Sequence, residues 1–303
     1  MILTISALTR TSDPENYSRA WHFTGHPAGE TQTYWFSRAP RSVGSLSAVI
    51  EDYPFMVSLR HAGGHICGGT IISEDTILTA AHCIDNTGIT AELLSVKAGS
   101  SDVNFLGSWY PVKKLIKHED YQKPKLESGG NQALDDVALI KLASPIKINN
   151  VTTKVVQLLD ENDDVQSYKS GTLTGWGYIP AVVKDTSNTT SVQSDGVEPL
   201  KKIKTARFPT KLMHVKLDIA PKEKCADLYP SADLRGQFCT YTFGKKVCSG
   251  DSGGPLIVNG RQAGIVSWAN SACTEDVNSG FFVDVAKYRK WIDKHINTIE
   301  KSE

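Results

Sequence analysis

From about residue 50 onward, short apolar runs recur along the chain, many at intervals of roughly ten to fifteen residues. Phe55-Met56-Val57-Ser58-Leu59, Thr76-Ile77-Leu78-Thr79, Val137-Ala138-Leu139-Ile140, Gly171-Thr172-Leu173-Thr174 and Gly264-Ile265-Val266-Ser267-Trp268 are examples, and most have Gly, Pro, Asn, Asp or Ser close by. Runs this short, broken this regularly by turn formers, predict many short strands and an all-β barrel or sandwich. One stretch has a different period. From Val285 to Ile299, Tyr288, Trp291, Ile292, Ile296 and Ile299 fall mostly three or four residues apart, which predicts a C-terminal helix with one apolar face. Residues 1–41 are polar and aperiodic, with Pro14, Pro27 and Pro40, and read as a leader with little core of its own. Two polar insertions, Gln122 to Asp135 and Ile179 to Lys204, are expected to be exposed loops that either tolerate drift or wall a cleft.

Composition narrows the function classes. The chain has 303 residues, suiting one large domain or two barrels sharing a site. Its 33 basic and 33 acidic side chains cancel, so nothing points to nucleic acid or an anionic membrane. No run approaches the roughly 18 apolar residues of a membrane-spanning helix. The six cysteines, Cys67, Cys83, Cys225, Cys239, Cys248 and Cys273, are spaced unlike zinc knuckles or a redox CxxC pair, and no metal is expected. Their even number and the acceptor tripeptides at Asn16, Asn150 and Asn188 favour a secreted glycoprotein. Met1 to Leu8, short and without a basic lead, makes a poor signal peptide, and the cysteines are given the greater weight.

The chemistry concentrates in Cys248-Ser249-Gly250-Asp251-Ser252-Gly253-Gly254-Pro255. A serine hydroxyl becomes a useful nucleophile when it sits on a sharp exposed turn, near a base and near backbone N–H groups that receive the oxyanion. Glycines on both sides of Ser252 allow that turn. The base candidate is His82 in Leu78-Thr79-Ala80-Ala81-His82-Cys83, which follows an apolar strand and adjoins a cysteine able to pin it. Asp136, or its neighbour Asp135, precedes Val137-Ala138-Leu139-Ile140 and is the candidate that orients the imidazole, although an acid at that place also suits a turn or cap.

The segments TAAHC, DDVALIKL and GDSGGP, in the order His, Asp, Ser, resemble the chymotrypsin-like serine proteases. Tyr53-Pro54-Phe55-Met56-Val57-Ser58-Leu59, Cys67-Gly68-Gly69-Thr70, Gly175-Trp176-Gly177 and Val266-Ser267-Trp268 extend the resemblance over about residues 42–303. It implies two six-stranded antiparallel β-barrels, about 42–158 and 159–303, with the site between them and a C-terminal helix. It implies the disulfides Cys67–Cys83, Cys225–Cys239 and Cys248–Cys273, each worth roughly 2–4 kcal/mol by loop closure. It implies a serine endopeptidase in which His82, Asp136 and Ser252 are catalytic, the Gly250 and Ser252 N–H groups form the oxyanion hole, and no cofactor is used. The family register selects Asp136 over Asp135. Ser267, Trp268, Ala269 and Gly280 would line the substrate site, and the partners implied are a polypeptide substrate, a protein inhibitor and an activating protease acting on a monomer.

Two departures stand out. At the position where trypsins carry an acid on the pocket floor this chain has Lys246, so a preference for Arg or Lys substrates is not expected. Lys246 would pair with an acidic substrate, be neutralised by Glu275 or Asp276, or fill the pocket; an unpaired buried ammonium is costly. After Trp268 the usual glycine is replaced by Ala269, which would narrow the pocket mouth. Activation by cleavage after Arg41 would free the Ser42 ammonium for Asp251, but without the buried isoleucine worth about 1.5–3 kcal/mol. These departures favour an alternative, a non-catalytic homologue that binds another protein. A hydrolase of different fold conflicts with the order of the three residues.

Overall fold

The structure, a computed structural model, describes residues 46–297 except 86–87, 127–131, 185–201, 208, 244, 246 and 270–278, together with 19–23 and 32–36. The two leading stretches, β1 (Arg19–Phe23) and β2 (Gln32–Phe36), pair as an antiparallel hairpin. The aperiodic leader therefore contains regular structure, and RAWHF and QTYWF are rich in the aromatic types that favour extended backbone.

β3 (Leu46–Ser47) pairs with a strand of the second half of the molecule before the first barrel begins. That barrel is closed by β4 (Met56–His61), β5 (Gly64–Ser73), β6 (Thr76–Thr79), β7 (Leu94–Ala98), β8 (Ser108–Lys117) and β9 (Ala138–Leu142), in the order β4-β5-β6-β9-β8-β7. β6 and β9 are buried at every position, so their continuous apolar runs show no alternation. The one charge in β9, Lys141, is satisfied by the Thr76 hydroxyl at 2.6 Å and Asp75 at 3.1 Å.

The second half contains β10 (Gln157–Leu158), β11 (Ser170–Gly175), a separate hairpin of β12 (Ile179–Lys184) and β13 (Lys202–Arg207), then β14 (Met213–Asp218). Helix α1 (Lys222–Leu228), β15 (Gln237–Tyr241), β16 (Pro255–Val258), β17 (Arg261–Ala269) and β18 (Ser279–Asp284) follow. Its sheet runs β15-β18-β17-β16-β11-β14-β3, with β10 joining β17 in parallel. The chain leaving β14 meets β15 through an Ile219–Thr240 bridge and the bond from Ala220 N–H to Cys239 O, rather than through a full ladder. The architecture is thus a closed barrel, a half-barrel sheet and a terminal helix.

Helix α2 (Val285–Asn297) returns to the first barrel. Tyr288 and Ile292 enter its core, the Trp291 indole donates to Glu119 at 2.7 Å, and the Tyr288 hydroxyl donates to Asp135 at 2.8 Å. Ile299, expected in this helix, lies outside the described residues.

The insertions are corrected in part. Gln122 and Leu134 form a bridge, and Leu126, Gln132, Ala133 and Leu134 are buried while Gln122, Lys123 and Lys125 are exposed; residues 127–131 lie outside the described residues. The flanks of the second insertion form the β12–β13 hairpin, and its middle lies outside the described residues. Cys67–Cys83 and Cys225–Cys239 are bonded, with Cα separations of 6.2 and 5.9 Å. Cys248 is also in a disulfide, while Cys273 falls outside the described residues.

Candidate active site

His82 lies in a 3-10 turn, Ala81–Cys83, directly after β6. Ala80 and Ala81 are fully buried there, and the Cys67–Cys83 bond fastens the turn to β5. Asp136, just ahead of β9, is fully buried beside it. Its Oδ1 accepts the His82 backbone N–H at 2.8 Å and its Oδ2 lies 2.7 Å from Nδ1. A carboxylate can only accept, so Nδ1 carries the proton and Nε2 keeps its lone pair. The Ser267 hydroxyl donates to the same Oδ2 at 2.6 Å. Asp135 points elsewhere: its backbone is left-handed, with φ +49°, and its carboxylate takes the Tyr288 hydroxyl.

The nucleophile loop lies against the first barrel. Gly68 N–H donates to Ser252 O at 2.8 Å, while Gly253 N–H reaches Val266 O on β17 at 2.8 Å. Gly253 has φ +73°, and a Cβ there would stand 2.2 Å from Thr79 Oγ1, so only glycine permits this approach. Among the described residues, the N–H groups of Gly250 and Ser252 have no hydrogen-bond acceptor. No hydrogen bond joins Ser252 Oγ to His82 Nε2, which lies 3.8 Å from Cys83 Sγ. Such bonds commonly tighten when substrate docks. Cys67, His82 and Cys83 cluster closely enough to suggest metal ligands, but both sulfurs are spent in the disulfide.

Asp251, beside Ser252 in sequence, is turned into the protein. Its carboxylate is buried and accepts Gly177 N–H at 2.9 Å and Cys248 N–H at 3.0 Å. Burial raises its pKa to about 6, against the lowering effect of those two bonds. Behind the loop, His65 Nε2 lies 3.1 Å from Gly250 O and Nδ1 lies 2.8 Å from Ser58 Oγ. The carbonyl must accept, so Nε2 carries the proton and Nδ1 takes the serine hydroxyl. Burial lowers the His65 pKa to about 4, outweighing the Gly250 bond, and keeps the ring neutral.

A family model described as Trypsin matches residues 42–292. The chain belongs to the trypsin family. It is 36% identical to hypodermin-A of Hypoderma lineatum over 262 residues, covering 86% of this chain and 89% of that protein. It is 34% identical to trypsin of Sarcophaga bullata over 261 residues, covering 84% and 88%. Among solved structures it is similar to neuropsin, a serine protease expressed in the limbic system of mouse brain, with TM-score 0.65, 25% identity and coverage of 84% and 99%. A scabies mite inactivated protease paralogue shares the fold at TM-score 0.63 and 23% identity, covering 84% and 97%. Membership of this family makes the chain a serine endopeptidase, which acts on polypeptides.

Within this trypsin-family scaffold the remaining sequence-predicted residues are distributed unevenly. Ser267, expected to line the substrate site, is buried, and its hydroxyl is committed to Asp136, which as a fully buried carboxylate takes this further donor. Trp268 likewise points into the protein: it stacks on Phe281 at 3.8 Å and its indole donates to Gln237 at 3.0 Å. Ala269 pairs with Gly280 across β17 and β18, and Gly280 lies against Val247. Arg41, Ser42, Lys246, Glu275 and Asp276 lie outside the described residues. His65 and Ser58 were missed; the available signal was a histidine two residues before Cys67. The role of Gly177 was missed as well. A Cβ on it would stand 2.2 Å from Asp251 Cγ, which explains why glycine follows Trp176.

Proposed function

We propose that His82, Asp136 and Ser252 carry the peptidase reaction of this chain, with residues 42–303 as the protease unit and residues 1–41 as a leader. The observation that carries this reading is the His82–Asp136 contact, which leaves Nε2 as the ring nitrogen able to take a proton. Ser252 Oγ attacks the scissile carbonyl carbon as its proton passes to Nε2. The oxyanion is received by the N–H groups of Gly250 and Ser252, each such donor being worth about 2.7–4 kcal/mol in comparable sites. The imidazolium, stabilised by Asp136, gives the proton to the leaving amine, and water hydrolyses the acyl-enzyme by the reverse transfers. The chain is made as a secreted zymogen and acts as a monomer.

Cleavage after Arg41 gives Asp251 a cationic partner in the Ser42 ammonium. What supports this is the chemistry of Asp251: a buried carboxylate with two N–H donors and no cation among the described residues. Lys246 sets the primary specificity away from Arg and Lys. The test is fluorophosphonate labelling of the chain cut after Arg41, with the modified peptide mapped. Labelling at Ser252 that is lost in His82→Ala supports the reading, and an unlabelled cleaved wild type supports the binding-module alternative.

A further inference from the structure

The sequence carries two adjacent carboxylates, Asp135 and Asp136, and the site described above uses only the second. The first holds an uncommon conformation. Its φ of +49° puts a residue other than glycine in the left-handed region, which aspartate tolerates better than most and which persists where surrounding contacts fix it. Immediately afterwards Val137 N–H donates to Asp135 O at 2.9 Å, closing a γ-turn with Asp136 at its centre. The direction in which the Asp136 carboxylate leaves the backbone is therefore set by how Asp135 is held.

The contact that holds Asp135 comes from helix α2. The Tyr288 hydroxyl donates to Asp135 Oδ1 at 2.8 Å across a separation of 153 residues. Tyr288 is buried, and Gly236 leaves room for its hydroxyl: a Cβ there would stand 2.4 Å from that oxygen. Burial and the Asp135 contact both raise the Tyr288 pKa, so the hydroxyl stays a donor. The other flank of the turn is gripped by the same helix. The His118 ring meets Tyr288 edge-on at 5.4 Å, and His118 N–H donates to Val137 O at 3.1 Å. One turn further along α2, the Trp291 indole is bonded to Glu119.

We infer, on the catalytic reading above, that Asp135 and Tyr288 are positioning residues for the peptidase reaction: their bond pins the turn that aims Asp136 at His82. The bonds from His82 N–H, His82 Nδ1 and Ser267 fix the Asp136 oxygens, whereas the Tyr288 bond fixes the backbone that carries them. The C-terminal helix thereby belongs to the machinery that orients the imidazole. This role needs an acceptor at Asp135 and not a charge, which separates it from electrostatic support of the imidazolium. Loosening the turn misplaces Asp136, and a misplacement of about 1 Å can cost about 100-fold in rate.

Three substitutions test it. Tyr288→Phe keeps the ring and removes the donor, Asp135→Ala removes the acceptor, and Asp135→Asn keeps an acceptor oxygen without the charge. In chain cut after Arg41 and normalised by active-site titration, Tyr288→Phe and Asp135→Ala should lower kcat about tenfold or more with KM within about twofold. Asp135→Asn should recover kcat to within about threefold of wild type. The His82–Asp136 bond is read without catalysis, in a Ser252→Ala background, as the downfield proton resonance of His82 Nδ1–H. That resonance should persist with Asp135→Asn and be broadened or lost with Tyr288→Phe and Asp135→Ala. A Tyr288→Phe kcat within about twofold of wild type, with the resonance unmoved, would overturn the inference. So would an Asp135→Asn enzyme as impaired as Asp135→Ala, because the charge would then be the agent. Failure of active-site titration in the wild type counts against the catalytic reading, while the resonance still decides whether Tyr288 aims Asp136.

Discussion

Replacing Asp251 by Asn in the uncleaved chain should change how stability depends on pH. The carboxyl is buried, accepts Gly177 and Cys248 N–H groups, and has its pKa raised from an ordinary 3.8 to about 6. The folded chain therefore holds this proton more tightly than the unfolded chain. The associated stability is fully present below the unfolded pKa near 3.8 and is lost as pH rises through about 6. An increase of that size corresponds to about 3 kcal/mol. Asn cannot titrate, so its variant lacks this loss, at the cost of an N–H donor left facing an amide, about 1 kcal/mol at every pH.

Asp284, also raised to about 6 by burial, and His65, lowered to about 4, titrate in both proteins and cancel in the difference. The assay is urea unfolding across that pH range, in a Ser252→Ala background to prevent self-digestion. Wild-type stability relative to Asp251→Asn should fall by about 3 kcal/mol between about pH 4 and about pH 7. After cleavage at Arg41 the fall should shrink, because the new ammonium favours the charged carboxylate. A difference that does not vary with pH in the uncleaved chain would refute the picture of a buried carboxylate without a cation.

Gly177→Ala puts a methyl 2.2 Å from Asp251 Cγ, so the carboxylate and the loop behind Ser252 must shift. Overpacking of this kind typically costs about 1–3 kcal/mol, and kcat should drop by tenfold or more while thermal unfolding stays cooperative. Lys246→Asp should move cleavage preference toward Arg and Lys in a peptide profile varied at the residue before the scissile bond; an unaltered profile would place Lys246 outside substrate recognition.

Much of this molecule was legible because its decisive signals are local. The strands announce themselves as short apolar runs, and the helix after Val285 through its three- and four-residue spacing. The peptide segments around His82, Asp136 and Ser252 carry the chemistry in a few residues each. What stayed hidden depends on contacts between distant positions. Gln132 and Asp233 are 101 residues apart, so the buried amide of Gln132 is held by a partner that no local pattern encodes. The resemblance carried by Val266-Ser267-Trp268 placed Ser267 and Trp268 at the substrate site, but it did not disclose that their side chains bond to Asp136 and Gln237. Partner geometry, not residue type, decided each of these.

The most direct test of the catalytic reading is a pre-steady-state burst with an activated ester substrate on chain cut after Arg41. The account predicts about one equivalent of leaving group released rapidly per enzyme, followed by slower turnover, and no burst from Ser252→Ala that remains folded. An undiminished burst from Ser252→Ala would contradict the assignment of the nucleophile.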